Sequence, residues 1–170
     1  MRTRRSDLVN SLRIMSILCL ATASSVSAQA NQRLVGTWRL VSLTAQVAGT
    51  AESVDTFGDA PQGYLSYGRD GRMLVIIVKA RRPKQSDIAQ LSDAERLELF
   101  NTMVAYGGTF RVDGDRIIHN VDISWNENWT GTAQVRRFQI DGDRLILTQD
   151  PQIGPDGRRT SAVLTWEKVR

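Results

Sequence analysis

Three Asp-Gly pairs do most to limit what this chain can fold into. They lie in Arg69-Asp70-Gly71-Arg72, Val112-Asp113-Gly114-Asp115-Arg116-Ile117 and Ile140-Asp141-Gly142-Asp143-Arg144-Leu145, each between runs of strand-forming residues. Glycine accepts the positive φ that a tight hairpin turn demands, and Asp-Gly is a favoured pair for it. Hairpins in series mean consecutive antiparallel strands. The last two units share one pattern, which marks the regularity of a meander and not a solenoid repeat.

The segment 107–149 reads as strand, turn, strand, aromatic loop, strand, turn, strand. Within it, Ile117-Ile118-His119-Asn120-Val121-Asp122-Ile123 places an apolar residue at every odd position but one, and the exception is the only histidine of the sequence. Side chains on a strand alternate faces, so His119 is expected to face the core with Ile117, Val121 and Ile123. Further strands are predicted over 34–43, 63–67, 73–78 and 160–169. The connection 44–62 is long and carries Gly49, Gly58 and Pro61, and 151–159 is a looser loop. One helix is expected after the basic run Arg81-Arg82-Pro83-Lys84, which reads as a solvated loop. Ser92-Asp93-Ala94-Glu95 forms its capping box, Leu97, Phe100 and Val104 its apolar stripe, and Gly107-Gly108 its stop.

The expected fold is therefore all-β: an eight-stranded antiparallel up-and-down barrel with one α-helix between the third and fourth strands. Closure removes the free edges that a flat sheet would expose. A meander also sorts its connections by end. The three Asp-Gly turns share one end with Trp38. The long connections and Trp125-Asn126-Glu127-Asn128-Trp129 share the other. One end is closed and one is an elaborated mouth, as a container requires.

Ahead of the barrel, Arg2, Arg4 and Arg5 precede an apolar run over 14–26 that ends in small residues. This reads as a signal peptide over residues 1–30, cleaved after Ala28 or Ala30, with 31–170 as a single domain. The run is shorter than the roughly 20 residues of a membrane-spanning helix, so no membrane span is expected in the mature chain. Removing those residues takes away four arginines (Arg2, Arg4, Arg5, Arg13) and one acid (Asp7), lowering the formal net charge from +4 to +1. The basic balance is thus no argument for nucleic-acid binding. The single cysteine, Cys19, leaves too, so no disulfide is expected in the periplasmic or secreted product.

The ordered pieces Leu34-Val35-Gly36-Thr37-Trp38, Phe57-Gly58, Gly63-Tyr64-Leu65, Asp70-Gly71-Arg72-Met73 and Tyr106-Gly107-Gly108-Thr109-Phe110 carry a resemblance. It continues through His119, Trp129-Thr130-Gly131-Thr132, Val135-Arg136-Arg137-Phe138 and Leu164-Thr165-Trp166-Glu167. The chain resembles the bacterial and fungal lipocalin-like domain family, and Gly36-Thr37-Trp38 looks like the Gly-x-Trp signature of lipocalins. The resemblance implies a small calycin-like barrel and carries no settled activity.

Alternation can be carried across turns. If Val112 pairs with Ile117, Phe110 lies opposite His119. If Ile140 pairs with Leu145, Phe138 faces Leu147, and Arg136 shares their inner face. A four-residue loop over 126–129 would set His119 opposite Arg136, whereas a one-residue slip would turn Arg136 outward and Arg137 inward. The candidate ligand-binding residues are His119, Arg136, Phe110, Phe138, Trp38 and Tyr67, with Trp125 and Trp129 packed at or gating the mouth. Trp166 is a further aromatic of the same cavity. Arg136 cannot shed its charge, so inside a barrel it would need an acid, water or an anionic ligand.

One histidine and no mature cysteine cannot build the usual zinc sites. No haem-attachment, Gly-x-Ser-x-Gly, phosphate-loop or dinucleotide motif is present, and no metal or cofactor is expected. Three functions fit this reading. The first is an exported protein holding a small lipophilic, carboxylate-bearing molecule. The second is an isomerase or cyclase using His119 and Arg136 in the same cavity. The third is a barrel filled by its own side chains that serves as an interaction domain.

Overall fold

The computed structural model describes residues 31–82, 84, 87–153 and 157–170. The expected signal peptide lies outside the described residues. The chain divides into units 1–34 and 35–170. Residues 31–34 form a helical turn, and the second unit holds all the strands.

That unit runs β1 (Gly36–Val47), β2 (Ser53–Asp55), β3 (Gln62–Tyr67), β4 (Arg72–Val78), α1 (Asp93–Asn101), β5 (Met103–Asp113), β6 (Arg116–Ser124), β7 (Ala133–Asp141), β8 (Arg144–Thr148), β9 (Gln152–Ile153) and β10 (Arg159–Lys168). The strand order β1-β3-β4-β5-β6-β7-β8-β10, closed by pairing of β1 with β10, makes an eight-stranded antiparallel barrel. The short β2 and β9 extend it beside β1 and β10. The tight turns form as their Asp-Gly pairs demand, with φ of +80° at Gly71, +60° at Gly114 and +56° at Gly142.

Five expectations are corrected. The helix follows β4 and not the third strand, because residues of the long 44–62 connection pair with β1 as β2. Its N-terminal box is present, with Ser92 and Glu95 each accepting from the other's backbone N–H. It ends at Asn101, however. Val104 belongs to β5, and Leu97 and Phe100 are exposed, so the predicted stripe buries nothing.

Gly107-Gly108 does not stop the helix. It lies inside β5 opposite a bulge in β6, where Gly107 pairs with Ile123 and Gly108 with Val121. A Cβ on Gly108 would come within 1.9 Å of the Asn120 carbonyl oxygen, so only glycine allows this approach. The extra residue, Asp122, reverses the alternation beyond it. Ile123 therefore faces out, 64% exposed, against the expectation that it would share the face of His119.

The aromatic connection is also longer than four residues. Glu127–Trp129 coils into a 3-10 turn, Gly131 turns the chain at φ +79°, and the ladder resumes with Asn120 opposite Ala133. His119 therefore faces Gln134, and Arg136 faces Ile117. The offset is two residues, so Arg136 keeps its inward face.

The closed end is packed solid. Trp38, Ile117, Leu145 and Trp166 have no exposed surface, and each such side chain contributes about 1.5–3 kcal/mol by leaving water. A bulge in β1 at Val41 shifts its register against β10. Trp38 and Leu40 thus point inward below it and Leu43 inward above it.

Candidate functional site

Inward positions of β1, β3 to β8 and β10 leave a cavity of about 220 Å³ above the packed floor. Most of its wall is apolar: Leu43, Leu65, Val75, Ile77, Leu147 and Leu164. Its polar groups are Tyr106, His119, Arg136, Thr56 and Gln149, and Phe57, Trp129 and Trp166 complete the aromatic lining.

His119 is 1% exposed. Its Nε2 lies 2.7 Å from the Tyr67 hydroxyl, supplied by β3, and its Nδ1 lies 2.9 Å from the Tyr106 hydroxyl, supplied by β5. Burial, and then the nearby Arg136 cation, push its pKa from 6.5 down to about 3. Burial also raises the pKa of both phenols, for Tyr67 well above 10. All three groups are thus neutral at ordinary pH, and both imidazole nitrogens are occupied.

Arg136 is buried on the inner wall of β7. It donates from Nη1 to the Val135 carbonyl at 3.0 Å, and its Nη2 stands a long 3.5 Å from Gln134 Oε1. Among the described residues no carboxylate forms an ion pair with it. Arg137 points outward and meets Asp150 at 3.5 Å.

The residues singled out from the sequence separate by depth. His119, Arg136, Trp129 and Trp166 line the cavity. Tyr67 stands behind His119, with Phe110 against its ring at 4.5 Å between centroids. Trp38 is in the floor, its ring 4.9 Å from the Lys168 ammonium, and Phe138 does not reach the cavity. Trp125 packs edge-on against Trp129 at 4.9 Å, and Trp129 packs against Tyr106 at 5.5 Å. The mouth aromatics thus connect to the polar cluster.

Tyr106 is the residue that sequence reasoning missed. Its signal was the alternation Val104, Tyr106, Gly108, Phe110, hidden once Val104 was read as helix. Thr56 and Phe57, beyond β2, were also missed because 44–62 was read as plain connection.

The sequence that builds this barrel matches a known family. The model of the lipocalin-like domain covers residues 35–169. The chain belongs to the lipocalin-like domain family. A 4'-hydroxy-3'-methoxypropiophenone carrier protein, ppsC, of Aspergillus oryzae is similar to it, 33% identical over 86 residues that make up 46% of this chain and 78% of that protein. Among the described residues of this lipocalin-like domain, no helix is long and apolar enough to cross a membrane. Nor do three or more His, Cys, Asp or Glu side chains converge as they would around a metal ion.

Proposed function

We propose that this lipocalin-like domain is a carrier for one small lipophilic molecule whose anionic or strongly accepting oxygen group sits against Arg136. The observation that carries this reading is a buried guanidinium on the wall of an apolar cavity, with no carboxylate partner among the described residues. An uncompensated cation in such surroundings is costly, and a bound carboxylate or phenolate would supply both its counter-charge and its acceptors.

Size narrows the cargo. An apolar cavity of about 150 Å³ holds benzene, so about 220 Å³ suits a single ring with short substituents and not a long acyl chain. The Aspergillus oryzae relative is named as the carrier of such a molecule, which supports the same class of cargo here. The open cavity weighs against a barrel filled by its own side chains. The engaged nitrogens of His119 and its lowered pKa weigh against its serving as the base of an isomerase. The basic head and short apolar run of residues 1–30 support export to the periplasm or beyond.

The test is native mass spectrometry of protein purified from its own host, with extraction of bound material, followed by titration with benzoate and 4'-hydroxy-3'-methoxypropiophenone. Quenching of the cavity-lining tryptophans reports binding. One bound ring-sized acid or ketone is expected. An empty protein that binds neither probe would sink the carrier reading.

A further inference from the structure

A neutral imidazole carries one N–H and one bare nitrogen, so Tyr67 and Tyr106 cannot both donate to His119. Two arrangements remain. In the first, the Tyr67 O–H donates to Nε2, Nδ1–H donates to the Tyr106 oxygen, and the Tyr106 O–H is left over. In the second the chain runs backward and the Tyr67 O–H is left over.

The surroundings choose between them. Tyr67 is 1% exposed and does not line the cavity, and His119 is its hydrogen-bond partner among the described residues. Its surplus proton would be stranded, and buried donors are rarely left so. Tyr106 does line the cavity, where a surplus proton can meet a ligand.

We propose that Tyr67 and His119 are positioning residues that lock the Tyr106 hydroxyl as a hydrogen-bond donor into the cavity, so that the bound molecule must present an acceptor oxygen of the ketone or carboxylate class beside it. The ligand half of this inference rests on the carrier reading; the direction of the chain does not. Neighbouring groups have the same polarity. Arg136 has donors only, and Trp166, also in the lining, has a buried indole N–H without an acceptor among the described residues. Besides Tyr106 and His119, whose acceptors are already engaged within the chain of hydrogen bonds, Thr56 and Gln149 are the lining side chains able to accept, and both follow strand ends at the mouth.

The direction can be read without a ligand. The sequence holds a single histidine, so untagged protein labelled with ¹⁵N-histidine gives one pair of ring-nitrogen signals. The expected spectrum has a protonated Nδ1 and a bare Nε2; a protonated Nε2 would overturn the proposal. The ligand half is tested by binding propiophenone and its hydrocarbon counterpart, propylbenzene. One net hydrogen bond corresponds to about a tenfold preference for the ketone. Tyr106→Phe, which keeps the ring, should cut the ratio of ketone to hydrocarbon affinity. Tyr67→Phe should cut it part-way and bring a protonated Nε2 into the spectrum. An undiminished preference in Tyr106→Phe overturns the acceptor requirement. Failure of both probes to bind wild-type protein overturns it as well, together with the single-ring carrier reading, while the spectrum still decides the direction of the chain.

Discussion

Arg136 and Arg137 are neighbours on one strand and stand on opposite walls of it. Arg137 is 59% exposed and shares Asp150 with Arg116. Elsewhere on the outer wall, Arg39 meets Glu167 at 2.8 Å and Arg72 meets Asp122 at 2.6 Å. Those cations could have been left to water at little cost. Arg136 faces inward, where desolvation is expensive, and there no carboxylate meets it among the described residues. Ion pairing is thus present where it matters least to the fold and missing where it would matter most. The inner wall is arranged for something other than the stability of the empty barrel.

If so, apolar residues of that wall should govern stability and its polar residues should govern binding. The largest effect is expected at the floor. Trp38→Ala removes a fully buried indole and should cost about 3–5 kcal/mol in chemical denaturation. A cost below about 1 kcal/mol would mean that the floor does not hold the barrel together.

Acid comes next. Folded His119 has a pKa of about 3 against an ordinary 6.5, so between those values the unfolded chain binds more protons than the folded one. Stability is therefore fully present above pH 6.5 and is lost as the pH falls toward 3. The slope is about 1.4 kcal/mol per pH unit, or roughly 2.7 kcal/mol by pH 4.5. Denaturation midpoints measured across this window should show the slope in wild type and lose it in His119→Gln. A wild-type profile flat to pH 4 would mean that the imidazole is not held in a dry site.

Arg136→Leu separates the two roles directly. Loss of a charged hydrogen-bond donor should weaken benzoate binding about 10- to 100-fold. Replacing a buried, unpaired cation by an apolar side chain should leave the empty protein as stable as before or more so. Unchanged affinity would remove Arg136 from the site, and a large loss of stability would make it a structural residue after all.

The pattern of legibility follows from what alternation can report. Pairing of Val112 with Ile117, Phe110 with His119 and Phe138 with Leu147 was readable because Asp-Gly turns fix register locally, and each pair is present. The face of Arg136 survived a two-residue error because an even slip preserves faces. Ile123 was misread because a bulge depends on the neighbouring strand, here on how closely Gly108 lets Asn120 approach. Trp38, Phe110 and Phe138 show a different limit. Period two tells which wall a side chain joins but not its depth along the barrel axis, so floor residues and cavity residues look alike in the sequence. Tyr106 was hidden by the abrupt change from helix to strand at Thr102, across which the 97–104 apolar spacing continues without a break.

The smallest expected effect lies on the outer wall. Asp150 meets Arg116 at 3.3 Å and Arg137 at 3.5 Å, with all three side chains roughly half exposed. At such separations in water the attraction is weak, and physiological salt screens it further. Asp150→Asn should therefore leave the thermal midpoint within experimental scatter at low and at high salt, and leave benzoate affinity unaltered. The substitution is informative because Arg137 adjoins Arg136 along β7. If neutralising the partner of the outer guanidinium weakened benzoate binding as much as removing the inner one, the two walls would not be independent. The strand would then be transmitting a change in outer charge to the cavity, and Arg136 would owe its ligand-binding role to its neighbour's restraint as well as to its own burial.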